Sequence, residues 1–150
     1  MLRLLTRIMN LTEVEIMNHP VFMVNILDHQ HRVLFWNKRC EFFFGIAEAK
    51  ALGKRFEDIV PQAKGHQNQK YLDRALKGES LIVEYTPYQT KSGGFIQTIL
   101  PLTNITGSVV AAVSITKEIQ DSANETKFSF NTEAFSRCQH HYAALESYMV

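Results

Sequence analysis

Residues 26–60 read ILDHQHRVLFWNKRCEFFFGIAEAKALGKRFEDIV, and they constrain the fold more than any other stretch of the chain. Two apolar runs flank the polar turn Asp28-His29-Gln30-His31, the pattern of a β-hairpin. The second run ends in Asn37, a residue suited to cap a following helix by accepting a backbone hydrogen bond. A short aromatic-rich helix then closes on Gly45, and the step Leu52-Gly53-Lys54 follows. A strand–turn–strand running into small helices builds a sheet wrapped round a compact interior. The functional question is therefore what occupies that interior.

Bulk properties narrow the answer. At 150 residues the chain makes one domain with flanks, enough for a single core. Sixteen basic residues against fifteen acidic leave a net charge of +1, so no electrostatic field steers it toward nucleic acid or an anionic membrane. No apolar run approaches the roughly 20 residues of a membrane span, and the opening MLRLLTRIMNL lacks the apolar stretch and small-residue cleavage site of a signal peptide. Cys40 and Cys138 stand far apart with no CxxC, which fits reduced thiols and a cytoplasmic location.

Residues 2–18 read as an N-terminal helix. The capping box of Thr12 and Glu15 allows it to be two short ones, and Pro20 ends it. Strands are expected over residues 21–27, 32–36, 81–90, 95–102 and 108–119, and short helices over 38–44 and 48–52. A longer amphipathic helix covers 66–77, with Tyr71, Leu72, Ala75 and Leu76 inward. The last three strands, joined by short links, form an antiparallel meander. Residues 121–127 are polar and linker-like. Beyond them Phe135, Cys138, Tyr142, Leu145 and Met149 make one apolar helical stripe. The expected units are a flanking helix at 1–19, a main domain at 20–121, and a linker with a C-terminal amphipathic helix at 122–150.

This order of elements resembles the PAS superfamily of sensory modules. The likeness is carried by Ile26-Leu27-Asp28 with Arg32 to Asn37, Phe43-Phe44-Gly45, Ala51-Leu52-Gly53-Lys54, FIQTILPL at 95–102 and ITKEIQD at 115–121. It implies an α+β fold: a PAS-like five-stranded antiparallel sheet with small helices on one face, plus N- and C-terminal flanking helices. Two departures stand out. His31 occupies the place of a turn glycine, where it would need a positive φ. Glu118 replaces the Asp of the family's closing Asp-Ile-Thr, which puts the usual link to an output helix in question.

Strand alternation, with the parity that the resemblance implies, turns Asn25, Leu27, Val33, Phe35, Phe95, Gln97, Ile99, Ala112, Ser114 and Thr116 toward the small helices. Cys40, Phe44 and Leu72 would cover them. The set is apolar with a few hydrogen-bonding groups, the composition of a small-molecule site. The alternative is that the large aromatics simply fill the space as core. Flavin photochemistry is argued against, because light-sensing relatives carry a cysteine just after the glycine of the Leu-Gly step and here Gly53 is followed by Lys54, Arg55 and Phe56. Cys40 reads as a small buried hydrophobe. Haem-binding relatives ligate iron through a His near the start of the long helix, which makes His66 the one haem candidate. No metal site is expected, since the adjacent His140 and His141 point about 100° apart on a helix.

No catalytic motif is present: no GxSxG, no phosphate-binding glycine loop, no HExxH. The expectation is a non-enzymatic sensor that binds a small ligand or cofactor and relays its state through flanking helices. The partner would be an output kinase, cyclase or transcription regulator, and the module a homodimer. The alternative is a ligand-free PAS-type interaction and dimerisation module.

Overall fold

The structure, a computed structural model, describes residues 2–85 and 94–119. Five strands, β1 (Met23–Asp28), β2 (Val33–Trp36), β3 (Leu81–Tyr85), β4 (Gly94–Thr103) and β5 (Val109–Ile119), form one sheet in the order β2-β1-β5-β4-β3. Every neighbouring pair is antiparallel, and for β1–β2, β3–β4 and β4–β5 the short links demand it. Among the described residues six α-helices accompany it: α1 (Leu2–Met9), α2 (Glu13–Met17), α3 (Lys38–Phe44), α4 (Glu48–Ala51), α5 (Phe56–Ile59) and α6 (Gln67–Leu76). The N-terminal segment is thus two helices, broken by the capping box in which Thr12 and Glu15 bond each other's backbone N–H. Helix α5 and the 3-10 turn Pro61–Ala63 after it are additions to the elements expected from sequence.

The sheet separates two apolar layers. Its inner face packs on α3, α4, α5 and α6 through Leu27, Val33, Trp36, Cys40, Phe56, Leu72, Phe95 and Ile99. Its outer face is covered by the N-terminal helices, whose Leu5, Ile8 and Ile16 bury against Val24, Ile26, Leu100, Val113 and Ile115. The flanking segment at 1–19 is therefore packed on the sheet rather than held away from it.

Between Ile26 and Leu27 the β1–β2 register slips: Ile26 stands opposite Phe35, but Leu27 stands opposite Val33. An extra residue in one strand resets the alternation of faces. Val33 and Trp36 both point inward, Leu34 is exposed, and Phe35 turns to the outer face beside Met9 and Leu11. The expectation that Phe35 faces the small helices is therefore wrong, and Trp36 takes that place. The free edge of β2 is covered by the Leu52–Lys54 step, where Val33 N–H donates to Lys54 O and Gly53 N–H donates to Val33 O. That is the structural use of the Leu-Gly-Lys motif.

Candidate functional site

The local chain places the site's walls in sequence order. Asn37 starts α3, and Gly45 ends it at φ 68°, a left-handed conformation that costs glycine least. That fixes the seven residues of α3 so that Phe43 and Phe44 face the sheet. Phe44 lies tilted at 5.1 Å from Trp36 and edge-on at 5.6 Å from Phe56, and Phe43 lies 5.2 Å from Phe95. Trp36 is fully buried and donates its indole N–H to Ile46 O at 3.0 Å. These rings form one side of the interior.

A cavity of about 40 Å³ remains between the sheet, α3, α5 and α6. Of the residues expected there, Asn25, Leu27, Phe44, Leu72, Gln97, Ile99, Ser114 and Thr116 line it. Val33, Cys40, Phe95 and Ala112 belong to the inner core but are not part of the lining. Phe35 lies across the sheet. Met23, Phe43, Phe56, Glu57, Ala63, Asn68 and Gln69 also line the cavity. Met23 continues the Asn25 and Leu27 parity of β1, and the others come from α3 and the α5–α6 region, which strand alternation does not reach.

Across the cavity floor runs a row of buried polar side chains, set by register. Asn25 stands opposite Ser114 on β5, and Gln97 on β4 stands opposite Thr116. Gln97 Nε2 donates to Ser114 Oγ, which lies 3.3 Å from Thr116 Oγ1. Gln97 Oε1 is buried and takes no hydrogen bond. Such an acceptor costs free energy unless something in the cavity donates to it.

Cys40 is an inert thiol. Burial pushes it up to about 12, and its Sγ contacts Val24 O at 3.5 Å and Asn25 Nδ2 at 3.9 Å. It is therefore not a thiolate nucleophile near neutral pH.

The residue most out of view in the sequence is Glu57. His31 adopts φ 63° at the hairpin turn, as its replacement of a glycine required. Its carbonyl accepts from Phe56 N–H at 2.8 Å, and that bond brings the next residue, Glu57, under the hairpin. There His31 Nδ1 meets Glu57 Oε1, while Nε2 lies 2.9 Å from Asp73 Oδ1 on α6. Burial would lower the His31 pKa, but the hydrogen bonds and charges of Glu57 and Asp73 outweigh it and raise the imidazole above its ordinary value. Burial would raise the Glu57 pKa, but its polar contacts with Gln69 and His31 hold the carboxyl below its ordinary range. Glu57 Oε2 takes no hydrogen bond and has Arg55 at 3.7 Å. Read in sequence, Glu57 is one more charge in a short FEDI helix. The missed signal was His31 itself, an imidazole in a glycine position.

His66 caps α6, its Nδ1 accepting from Asn68 N–H at 3.1 Å, and it is not among the cavity residues. A macrocycle does not fit about 40 Å³, against the roughly 300–1,000 Å³ of sites that hold large ligands. The residues present therefore do not suit haem, and a flavin ring meets the same limit. Among the described residues no group of three or more His, Cys, Asp and Glu could hold a metal ion. No helix among them is long and apolar enough to cross a membrane. The expected C-terminal stripe, with Cys138, His140 and His141, lies outside the described residues.

Glu118, the longer replacement at the family's closing Asp, reaches Arg39 of α3 at 3.6 Å. The end of β5 is thus tied to the helix that carries Phe43 and Phe44.

Known structures share this arrangement. A sensory-box sensor histidine kinase from Vibrio cholerae superposes with TM-score 0.60 at 12% identity, covering 71% of this chain and 89% of its own. The PAS domain of BvgS from Bordetella pertussis gives TM-score 0.61 at 18% identity, covering 76% and 88%. VqmA of Vibrio cholerae, solved as a ligand–DNA complex, gives 0.58 at 14% identity over 72% of this chain but only 50% of VqmA. At these identities the likeness is one of fold. Among curated proteins none matches this chain in sequence. The sequence profile of the PAS fold matches residues 17–124, most of the chain. With that match and the five-stranded sheet around a small-helix layer, the chain belongs to the PAS fold family.

Proposed function

We propose that this chain is a sensory signalling module that binds a small ligand in the cavity and passes its occupancy to an output partner. The observation that supports it most is the buried polar row Asn25, Gln97, Ser114 and Thr116, with Gln97 Oε1 left without a donor. A core that served stability alone would be better built from apolar side chains at these positions. The relay follows the walls: a ligand seats against Phe43 and Phe44, α3 shifts, and the Arg39–Glu118 contact carries the shift to the end of β5, where the chain leaves the sheet. Such a half-buried, long pair contributes little energy, but it fixes position. The partner is a kinase, a cyclase or a transcription regulator, in keeping with the histidine kinase and VqmA relatives.

Native mass spectrometry of the purified protein tests the reading. A small organic molecule retained by wild type and lost in Gln97→Leu is the expected result. Protein that carries only water, and that no small molecule stabilises, would favour a second reading. In that one Phe43, Phe44 and Phe56 fill the interior down to about 40 Å³ and the module acts by protein contact alone.

A further inference from the structure

The charge and polarity of the cavity wall specify what it accepts. Among the described residues, the lining holds a single charged side chain, Glu57, and no Lys, Arg or His. Glu57 is 3% exposed and Gln97 is 4% exposed, and each has one oxygen that takes no hydrogen bond. Arg55 approaches Glu57 Oε2 only to 3.7 Å, on a side chain that is itself 59% exposed and so lies toward solvent. His31 occupies the other carboxylate oxygen. The cavity side therefore offers two acceptor oxygens that take no hydrogen bond, one of them on a carboxylate whose cationic neighbours, His31 and Arg55, both lie outside the lining. The rings of Phe43, Phe44 and Phe56 stand in the same wall, and the faces of aromatic rings attract cations.

Building on the reading of the cavity as a ligand site, we propose that it selects a small alkylammonium ion, whose N–H groups donate to Glu57 and Gln97 and whose alkyl part packs on the phenylalanines. The size follows from the volume. At about 10–15 Å³ for each water-sized occupant, 40 Å³ holds about three heavy atoms without rearrangement. An anion would meet the Glu57 carboxylate, and a neutral amide would give its free oxygen a hydrogen bond without the ion-pair attraction of an ammonium.

The test is titration of the full chain, followed by amide NMR shifts and melting temperature, with ethylammonium chloride, acetamide and sodium acetate at matched ionic strength. Ethylammonium is expected to raise the melting temperature and to shift signals of cavity residues, with acetamide and acetate much weaker. Glu57→Gln should weaken ethylammonium roughly tenfold or more, the loss typical of a charged hydrogen bond. Gln97→Met, which leaves the carboxylate and its His31 contact intact, should weaken it by a smaller factor. Acetamide or acetate binding at least as tightly as ethylammonium, or Glu57→Gln and Gln97→Met both binding ethylammonium undiminished, overturns the assignment while leaving a ligand site in place. No response to any of the three probes, with no small molecule retained in native mass spectra, overturns the ligand reading itself.

Discussion

Asn37 sits where β2 ends and α3 begins, and its side chain does more than cap. Oδ1 accepts from Cys40 N–H at 3.2 Å and Val24 N–H at 3.0 Å, while Nδ2 donates to Ile16 O at 2.9 Å and Phe22 O at 2.8 Å. One fully buried amide thereby joins α2, β1 and α3. Loss of an ordinary N-cap costs about 1 kcal/mol. Asn37→Ala removes four hydrogen bonds to buried backbone groups, so the expected loss is about 3 kcal/mol or more, measured by urea denaturation. His31 makes the second prediction. Its raised pKa means that its pairing stabilises fully below the ordinary imidazole value of 6.5 and is lost as pH rises through the folded value. The lowered pKa of Glu57 means that its contribution is present above the ordinary 4.5 and is lost as pH falls through the folded value. The stability gap between wild type and His31→Asn, a residue that tolerates the positive φ, should therefore be widest between about pH 4.5 and 6.5 and narrow on either side. A gap independent of pH from 5 to 9 would show that the imidazole does not titrate with folding.

At the scale of elements, the two N-terminal helices complete the fold. Leu5 and Ile16 have no exposed surface, and they cover the outer-face side chains Val24, Ile26, Val113 and Ile115. Asn37 Nδ2 fastens the end of α2 through Ile16 O. A chain shortened to begin at residue 20 is expected to aggregate or to melt far below the full chain, since it bares one whole face of the sheet. Ile16→Ala in the full chain should cost about 3 kcal/mol through the cavity it leaves. Either measurement showing no change would make the N-terminal segment a detachable flank, as a boundary drawn after residue 19 implies.

At the scale of the molecule, the proposed output runs through the chain beyond β5. The stripe Phe135, Cys138, Tyr142, Leu145 and Met149 is about two heptads long, too short for a stable lone helix in water. With the outer face of the sheet already occupied by α1 and α2, a second copy of the chain is the natural partner for that stripe. Light scattering should give a dimer for the full chain and a monomer for Leu145→Glu and for a chain ending at residue 121. A dimer that survives both changes would place the interface elsewhere on the module.

Local chemistry made much of this protein legible in its sequence. The strands, the turn at Asp28 to His31, the Asn37 cap, the Gly45 stop and the break at Thr12 each depend on residues a few positions apart, and the described residues have them where the sequence does, with residues 86–90 of the expected third strand outside that description. The polar floor of Asn25, Gln97, Ser114 and Thr116 was legible once the family resemblance supplied the parity, because alternation then fixes a face wherever a strand is regular. Phe35 and Trp36 exchanged places because an extra residue opposite Ile26 and Leu27 resets that alternation, and nothing in the side chains marks it. Glu57 became a cavity residue only through a backbone bond from Phe56 to His31, 25 positions away in the chain. Sequence by itself determined which segments extend, coil and turn. Tertiary structure decided which carboxylate was drawn beneath the hairpin and how little space the aromatic rings left beside it, because both depend on packing between segments that sequence proximity does not relate.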